Sequence, residues 1–148
     1  MIVIYNDGGR ALAGFRGTTG DCVCRAIAIA SGKPYGEVYD ALNILARSER
    51  TGKRKRGISR ARNGVYRSTY HKYLLGIGAT WTPTMWIGSG CTVHMRADEL
   101  PAGRLVVSLS GHLAAVLDGV LHDLDDCTRD GTRCVYGYYT IPEKVNHE

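Results

Sequence analysis

Two residues into the stretch Gly20-Asp21-Cys22-Val23-Cys24-Arg25-Ala26-Ile27-Ala28-Ile29-Ala30, a thiol follows an aspartate at the head of an alanine-rich apolar run. Asp21 has the character of a helix N-cap, which puts Cys22 in the first turn. Unpaired backbone N–H groups and the positive end of the helix dipole favour an anion there. That setting lowers a thiol's pKa and makes its thiolate a better nucleophile at neutral pH. The same N–H groups can stabilise the oxyanion of an acyl-transfer intermediate. Such a thiol calls for an imidazole base, and the base for an acid that orients it.

The second half of the chain holds a candidate for each role. Ser110-Gly111-His112-Leu113-Ala114-Ala115-Val116-Leu117-Asp118-Gly119-Val120-Leu121-His122-Asp123 reads as a hairpin with Asp118-Gly119 as a type I′ turn. A two-residue loop sets 117 opposite 120, 114 opposite 123 and 112 opposite 125. His112, Asp123 and Asp125 then share a face, with Asp123 diagonal to the histidine and within reach. A three-residue loop would instead bring Asp126 opposite His112. Asp123 is the preferred partner, with Asp125 and Asp126 left open. His122 should point to the other face of the sheet.

These residues carry a resemblance. A helix-heading Asp-Cys early in the chain, followed by GHLAAVLDGVLHD at the start of a sheet, resembles the papain-like cysteine peptidase fold. The small bacteriocin-processing and NlpC-like members are the most similar. The chain also resembles a group of small uncharacterised phage and bacterial proteins, with stretches similar to DCVCRAIA and HDLDDCTRDGTRCVYGY. The resemblance runs from Gly20 to Tyr139. It implies a cysteine-dependent hydrolase, a peptidase or isopeptidase acting on a protein or peptide. Cys22 would be the nucleophile, His112 the base and Asp123 the orienting acid. Papain-like enzymes usually place a glutamine shortly before the cysteine to complete the oxyanion hole, and this chain contains no glutamine. Arg16, Thr18, Thr19 or the backbone alone would have to serve; losing one such donor costs on the order of 2.7–4 kcal/mol of transition-state stabilisation.

The remaining ligand-type residues read as structural. Cys24 lies roughly 200° round the helix from Cys22, so it is expected in the core. Cys91 falls in an apolar strand and is also expected there. Cys22, Cys24, Cys127 and Cys134 would be the thiolates of a zinc site, but CxC and Cx6C are not its usual spacings. No metal or other cofactor is expected. His71 and His94 carry no pattern.

A second signal is electrostatic. The net charge is +5, yet the segment from Arg47 to Lys72 alone carries +9, which leaves the rest of the chain at −4. Lys53, Arg54, Lys55, Arg56, Arg60 and Arg62 form its centre and are the candidate grip for nucleic acid or an acidic protein. Tyr66, Tyr70 and Tyr73 could stack on bases, although their spacing also suits a helix packing face. A non-catalytic binding protein on the same fold is therefore the rival to the hydrolase.

The elements that must position these groups follow from pattern. At 148 residues, 44% hydrophobic and 22% charged, the chain suits one domain with one sizeable core. The spacing predicts helices over Cys22–Ala30, Tyr35 to about Ala46 and Val65–Leu75, broken by Gly32-Lys33-Pro34 and stopped at Gly76. A basic loop insert occupies about 47–64. Short strands are predicted at Ala79–Thr82, Cys91–Met95, Leu105–Ser110, Leu113–Leu117, Val120–Leu124 and Tyr136–Ile141, with a turn of helix at Asp98–Pro101. Residues 1–20 read as an extended lead-in. Helices first and strands second imply an α+β domain, with N-terminal helices packed on a C-terminal antiparallel sheet. No apolar run approaches the ~20 residues that cross a bilayer. The start, MIVIYNDGG, lacks the pattern of a signal peptide, so a cytoplasmic location is expected, in the host for a phage-encoded chain. There, an odd count of five cysteines points to free, catalytic or metal-bound thiols and away from a disulfide framework.

Overall fold

A computed structural model describes residues 1–16, 20–49 and 59–143. Thr18 and Thr19, and Lys53, Arg54, Lys55 and Arg56 of the basic insert, lie outside the described residues.

The architecture is mixed α+β, with three helices and a six-stranded sheet among the described residues. Helix α1 spans Cys22–Ser31, with alanines keeping its packing face slim. Gly32 stops it in the left-handed conformation, φ 75°, returning its N–H to the Ala28 carbonyl. Pro34, at φ −57°, then leads into α2 at Tyr35–Arg47, and α3 follows at Arg67–Gly76.

The strands are β1 (Val3–Tyr5), β2 (Thr80–Pro83), β3 (Arg104–Leu109), β4 (His112–Leu117), β5 (Val120–Asp123) and β6 (Gly137–Ile141), in the sheet order β1-β5-β4-β3-β6-β2. Four of the five pairings are antiparallel. The exception corrects the expectation of an antiparallel sheet: β1 runs parallel to β5, with Ile4 opposite His122. The N-terminal lead-in thus supplies an edge strand. Its three residues, VIY, are too few to show a period, and a parallel partner far along the chain leaves no turn signal beside it.

Both faces of the central strands are covered. Val106, Ala115 and Tyr139 pack against Val23 and Ile27 of α1 and Val38 and Leu42 of α2. Leu105, Val107, Val116 and Leu121 pack under Met95, Leu100 and Val135, which belong to irregular segments. This double burial explains the near-continuous apolar runs of β3 and β4.

Two other expectations are corrected. Cys91–Met95 is not a strand; only His94 makes a bridge, to Cys134. Gly88 and Gly90 bend the preceding chain at φ 85° and 68°, and the Met95 and Val135 N–H groups bond Arg133 and Val93 outside the sheet. Cys91 is accordingly exposed, and it forms a disulfide with Cys134. Asp98–Pro101 closes as a turn without becoming helical. No helix among the described residues is long and apolar enough to cross a membrane.

Candidate active site

The β4–β5 hairpin closes through two residues, Asp118 and Gly119, at φ 48° and 80°, with Leu117 opposite Val120. Those positive φ values are what a type I′ turn requires and what Asp-Gly tolerates. The three-residue alternative is excluded. His112 opens β4 and Asp123 ends β5, so both sit at one end of the sheet, and His112 Nε2 lies 2.7 Å from Asp123 Oδ2. Asp125 is exposed. Asp126 Oδ1 accepts hydrogen bonds from the N–H and hydroxyl of Thr128, which engages it in the following turn.

Cys22, the first residue of α1, reaches the same place, near enough to the His112 ring and the Leu113 N–H for both to act on its thiol. Burial would push this thiol's pKa up. The bonds from His112 and Leu113, with the charges of His112 and Arg25, outweigh burial and hold it below the ordinary thiol value. Burial would likewise lower the pKa of His112, but hydrogen bonds to Asp123, Cys127 and Cys22 push it up to about 11. Asp123 goes the other way: the His112 bond, the Leu124 N–H and Arg25 overcome burial and keep it below the usual carboxylate value. All three shifts run the same way, each favouring the charged form of its group: thiolate, imidazolium and carboxylate. Cys24 contrasts with its neighbour, being fully buried with its S–H directed at the Tyr35 carbonyl and its pKa raised by burial to about 12.

Asp21 does not act as the expected N-cap, since its side chain makes no capping bond. Its carboxylate is 1% exposed and engaged elsewhere: Oδ1 accepts Arg25 Nε at 3.0 Å and Oδ2 accepts the Tyr35 hydroxyl at 2.6 Å. A buried carboxylate needs a cation, and Arg25 one turn along the helix supplies it. The same guanidinium donates Nη1 to Asp123 Oδ1 at 3.3 Å. Arg25 thus ties the start of α1 to the carboxylate that holds His112. The i, i+4 spacing of Asp21 and Arg25 was the visible signal for half of this bridge; nothing local signalled the other half.

A cleft of about 470 Å³ opens on Cys22 and His112. Gly20 and Gly111 line it beside them, facing Asn63, Arg67 and Tyr70. No sequence pattern marks Asn63, and Arg67 is one of the cations of the Arg47–Lys72 segment. Their role depends on α3 and the turn before it being folded against α1. Tyr70 and Tyr73 pack on the core, so this part of the tyrosine stripe is a packing face. Arg16 is exposed, is not among the cleft residues, and its carbonyl accepts Arg62 Nη2 at 3.0 Å.

Cys127 was read only as one thiol of an unfavoured zinc set, and the structure brings it beside His112 and Asp123, ligand atoms all within 4.8 Å of one another. Two of those three side chains already bond each other. The four thiols weighed for zinc are not gathered: Cys134 is bonded to Cys91 and Cys24 is in the core. Of the five cysteines three are free, so the expectation of free thiols holds for Cys22, Cys24 and Cys127 alone.

No family model, no curated protein and no solved structure matches the chain.

Proposed function

We propose that the protein is a cysteine-dependent hydrolase of papain-like fold, a peptidase or isopeptidase, with Cys22, His112 and Asp123 as its triad. The observation that carries the reading is the position of His112: its Nε2 is held by Asp123 at 2.7 Å while its ring lines the same cleft as the thiol that heads α1. With Nε2 engaged, Nδ1 is the nitrogen left to exchange a proton at the scissile bond. The Cys22 thiolate attacks the carbonyl carbon, and the C–O π pair moves to oxygen. Backbone N–H groups of the first turn of α1 are the available oxyanion donors, with Asn63 facing them across the cleft. Collapse of the intermediate expels the amine, which takes the proton from His112 and leaves a thioester. Neutral His112 then deprotonates the incoming water, the C–S bond breaks, and the thiolate–imidazolium pair is restored. Asp123 keeps the ring in the orientation that both half-reactions need.

The test is covalent capture with a panel of peptidyl epoxides and vinyl sulfones, read by intact mass. One adduct per chain, mapped to Cys22 and at least tenfold slower in His112→Ala and Asp123→Asn, is the expected result. Labelling unchanged by those substitutions, or turnover that survives Cys22→Ala, ends the reading.

A second reading has an observation of its own. A basic cleft of about 320 Å³ is lined by Arg47, Arg60 and Arg62 together with Tyr39 and Asn43. Its arginines flank the most cationic stretch in the sequence, and they suit an anionic partner, nucleic acid or an acidic protein surface. Binding of a fluorescent oligonucleotide should weaken steeply with salt and be abolished by neutralising Lys53–Arg56. Salt-indifferent binding would remove this reading and leave the triad untouched.

A further inference from the structure

Away from His112, a second set of ligand-type side chains converges. Cys91 Sγ, Cys134 Sγ and a ring nitrogen of His94 lie within 4.8 Å of one another. The two sulfurs are joined as a disulfide across 43 residues. Cys91 is exposed, and His94 and Cys134 are half-buried, so reductants and ions have access.

The surroundings of His94 make this more than a disulfide with a bystander. Glu99 Oε1 bonds His94 Nδ1 at 3.1 Å and also accepts the His94 backbone N–H at 2.9 Å. Its other oxygen is held 3.3 Å from Arg96 Nε. The ring is therefore fixed by a carboxylate on one nitrogen, which leaves Nε2 as a basic ligand atom; this is the outer-shell arrangement that orients metal-binding imidazoles. The backbone also keeps the set together without the sulfur bond. His94 bridges Cys134, the Met95 N–H donates to the Arg133 carbonyl at 2.9 Å, and the Val135 N–H donates to Val93 at 2.8 Å. Cys91 and His94, three apart, approach from one bend while Cys134 comes from the facing segment.

We propose that Cys91, His94 and Cys134 form a redox-gated site for a thiophilic divalent cation of the zinc class. Oxidised, the site is closed by the disulfide. A dithiol reductant supplies two electrons and two protons, the S–S bond breaks to two thiols, and the reductant leaves as its own disulfide. A divalent ion then displaces the two thiol protons and is held by two thiolates and the imidazole, with the fourth position left to water. Two soft sulfurs and one nitrogen select zinc over magnesium or calcium. The ion restores in the reduced protein the staple that the disulfide provides in the oxidised one. The site shares no residue with the triad, so it stands or falls separately from the hydrolase reading.

The test uses the full chain carrying Cys22→Ala and Cys127→Ser, which removes the free thiols beside His112. Reduced protein titrated with Co²⁺ should develop sulfur-to-cobalt charge transfer and tetrahedral visible bands at one ion per chain, and Zn²⁺ should displace it. The oxidised protein should give neither. His94→Ala should weaken Co²⁺ binding at least tenfold, and Glu99→Gln by about 10–100-fold. If the reduced protein unfolds without metal, Zn²⁺ should refold it and fail to refold the His94→Ala variant. Equal binding by oxidised and reduced protein, binding indifferent to His94, or reduced protein that takes up no Co²⁺ would overturn the proposal.

Discussion

Arg25 and Asp123 stand 98 residues apart in sequence, and their side chains meet at 3.3 Å inside the protein. The guanidinium is 8% exposed and the carboxylate 7%, and Arg25 also bonds the fully buried Asp21 side chain. One side chain thus joins the first turn of α1, which carries Cys22, to the end of β5, which orients His112. The spacing of thiol and imidazole is coupled to the fold through this bridge.

Removing the bridge takes a shared cation from two buried carboxylates. Arg25→Met leaves Asp123 with His112 and the Leu124 N–H, and Asp21 with the Tyr35 hydroxyl and Arg10 Nε at 3.6 Å. Breaking one partner from a buried ion pair costs about 3–5 kcal/mol. Urea unfolding should show a loss of that order for Arg25→Met and a smaller one for Arg25→Lys, which keeps the charge but not the fork. A loss under about 1 kcal/mol would mean that the network contributes little beyond packing.

The thiol's reactivity should follow the signs of its shifts. Cys22 is held below the ordinary thiol value and His112 is raised to about 11, so thiolate and imidazolium coexist between the two. Iodoacetamide alkylation of Cys22 should therefore persist well below pH 8 and shift to higher pH in His112→Ala. Cys24, raised to about 12 and buried, is the internal control and should stay unlabelled throughout. Labelling that rises only near the pKa of a free thiol, unchanged by the substitution, would make Cys22 structural.

Gly137 should tolerate no side chain. It faces Pro83 across the β2–β6 pair, and a Cβ there would press into the Trp81 ring and sit 2.8 Å from the Thr82 carbonyl oxygen. The ring is itself packed on Tyr139 with centroids 4.6 Å apart, so it has little room to yield. Overpacking of this kind costs about 1–3 kcal/mol, and a Gly137→Ala protein should melt correspondingly lower. An unchanged Tm would show that Trp81 rotates away freely.

Local chemistry determined much of the chain by itself. Alanine content and the Gly32-Lys33-Pro34 break place α1, three- and four-residue apolar spacing places α2, and Asp118-Gly119 dictates a two-residue turn whose register brings His112 toward Asp123. Each of these depends on interactions within a few residues, which is why it is visible in one dimension. The α+β class follows from the same signals. Tertiary structure decided what distant residues share. The parallel seat of β1 beside β5, the Cys91–Cys134 disulfide, the second carboxylate on Arg25 and the presence of Asn63 and Arg67 opposite Cys22 all join segments with no common periodicity. Asp21 shows the division within one residue. Sequence marks it as a cap because of where it stands, but burial beneath Arg25 and Tyr35 makes a charge partner more valuable than a backbone N–H. That balance is set by desolvation, and desolvation exists only once the chain has folded around the carboxylate.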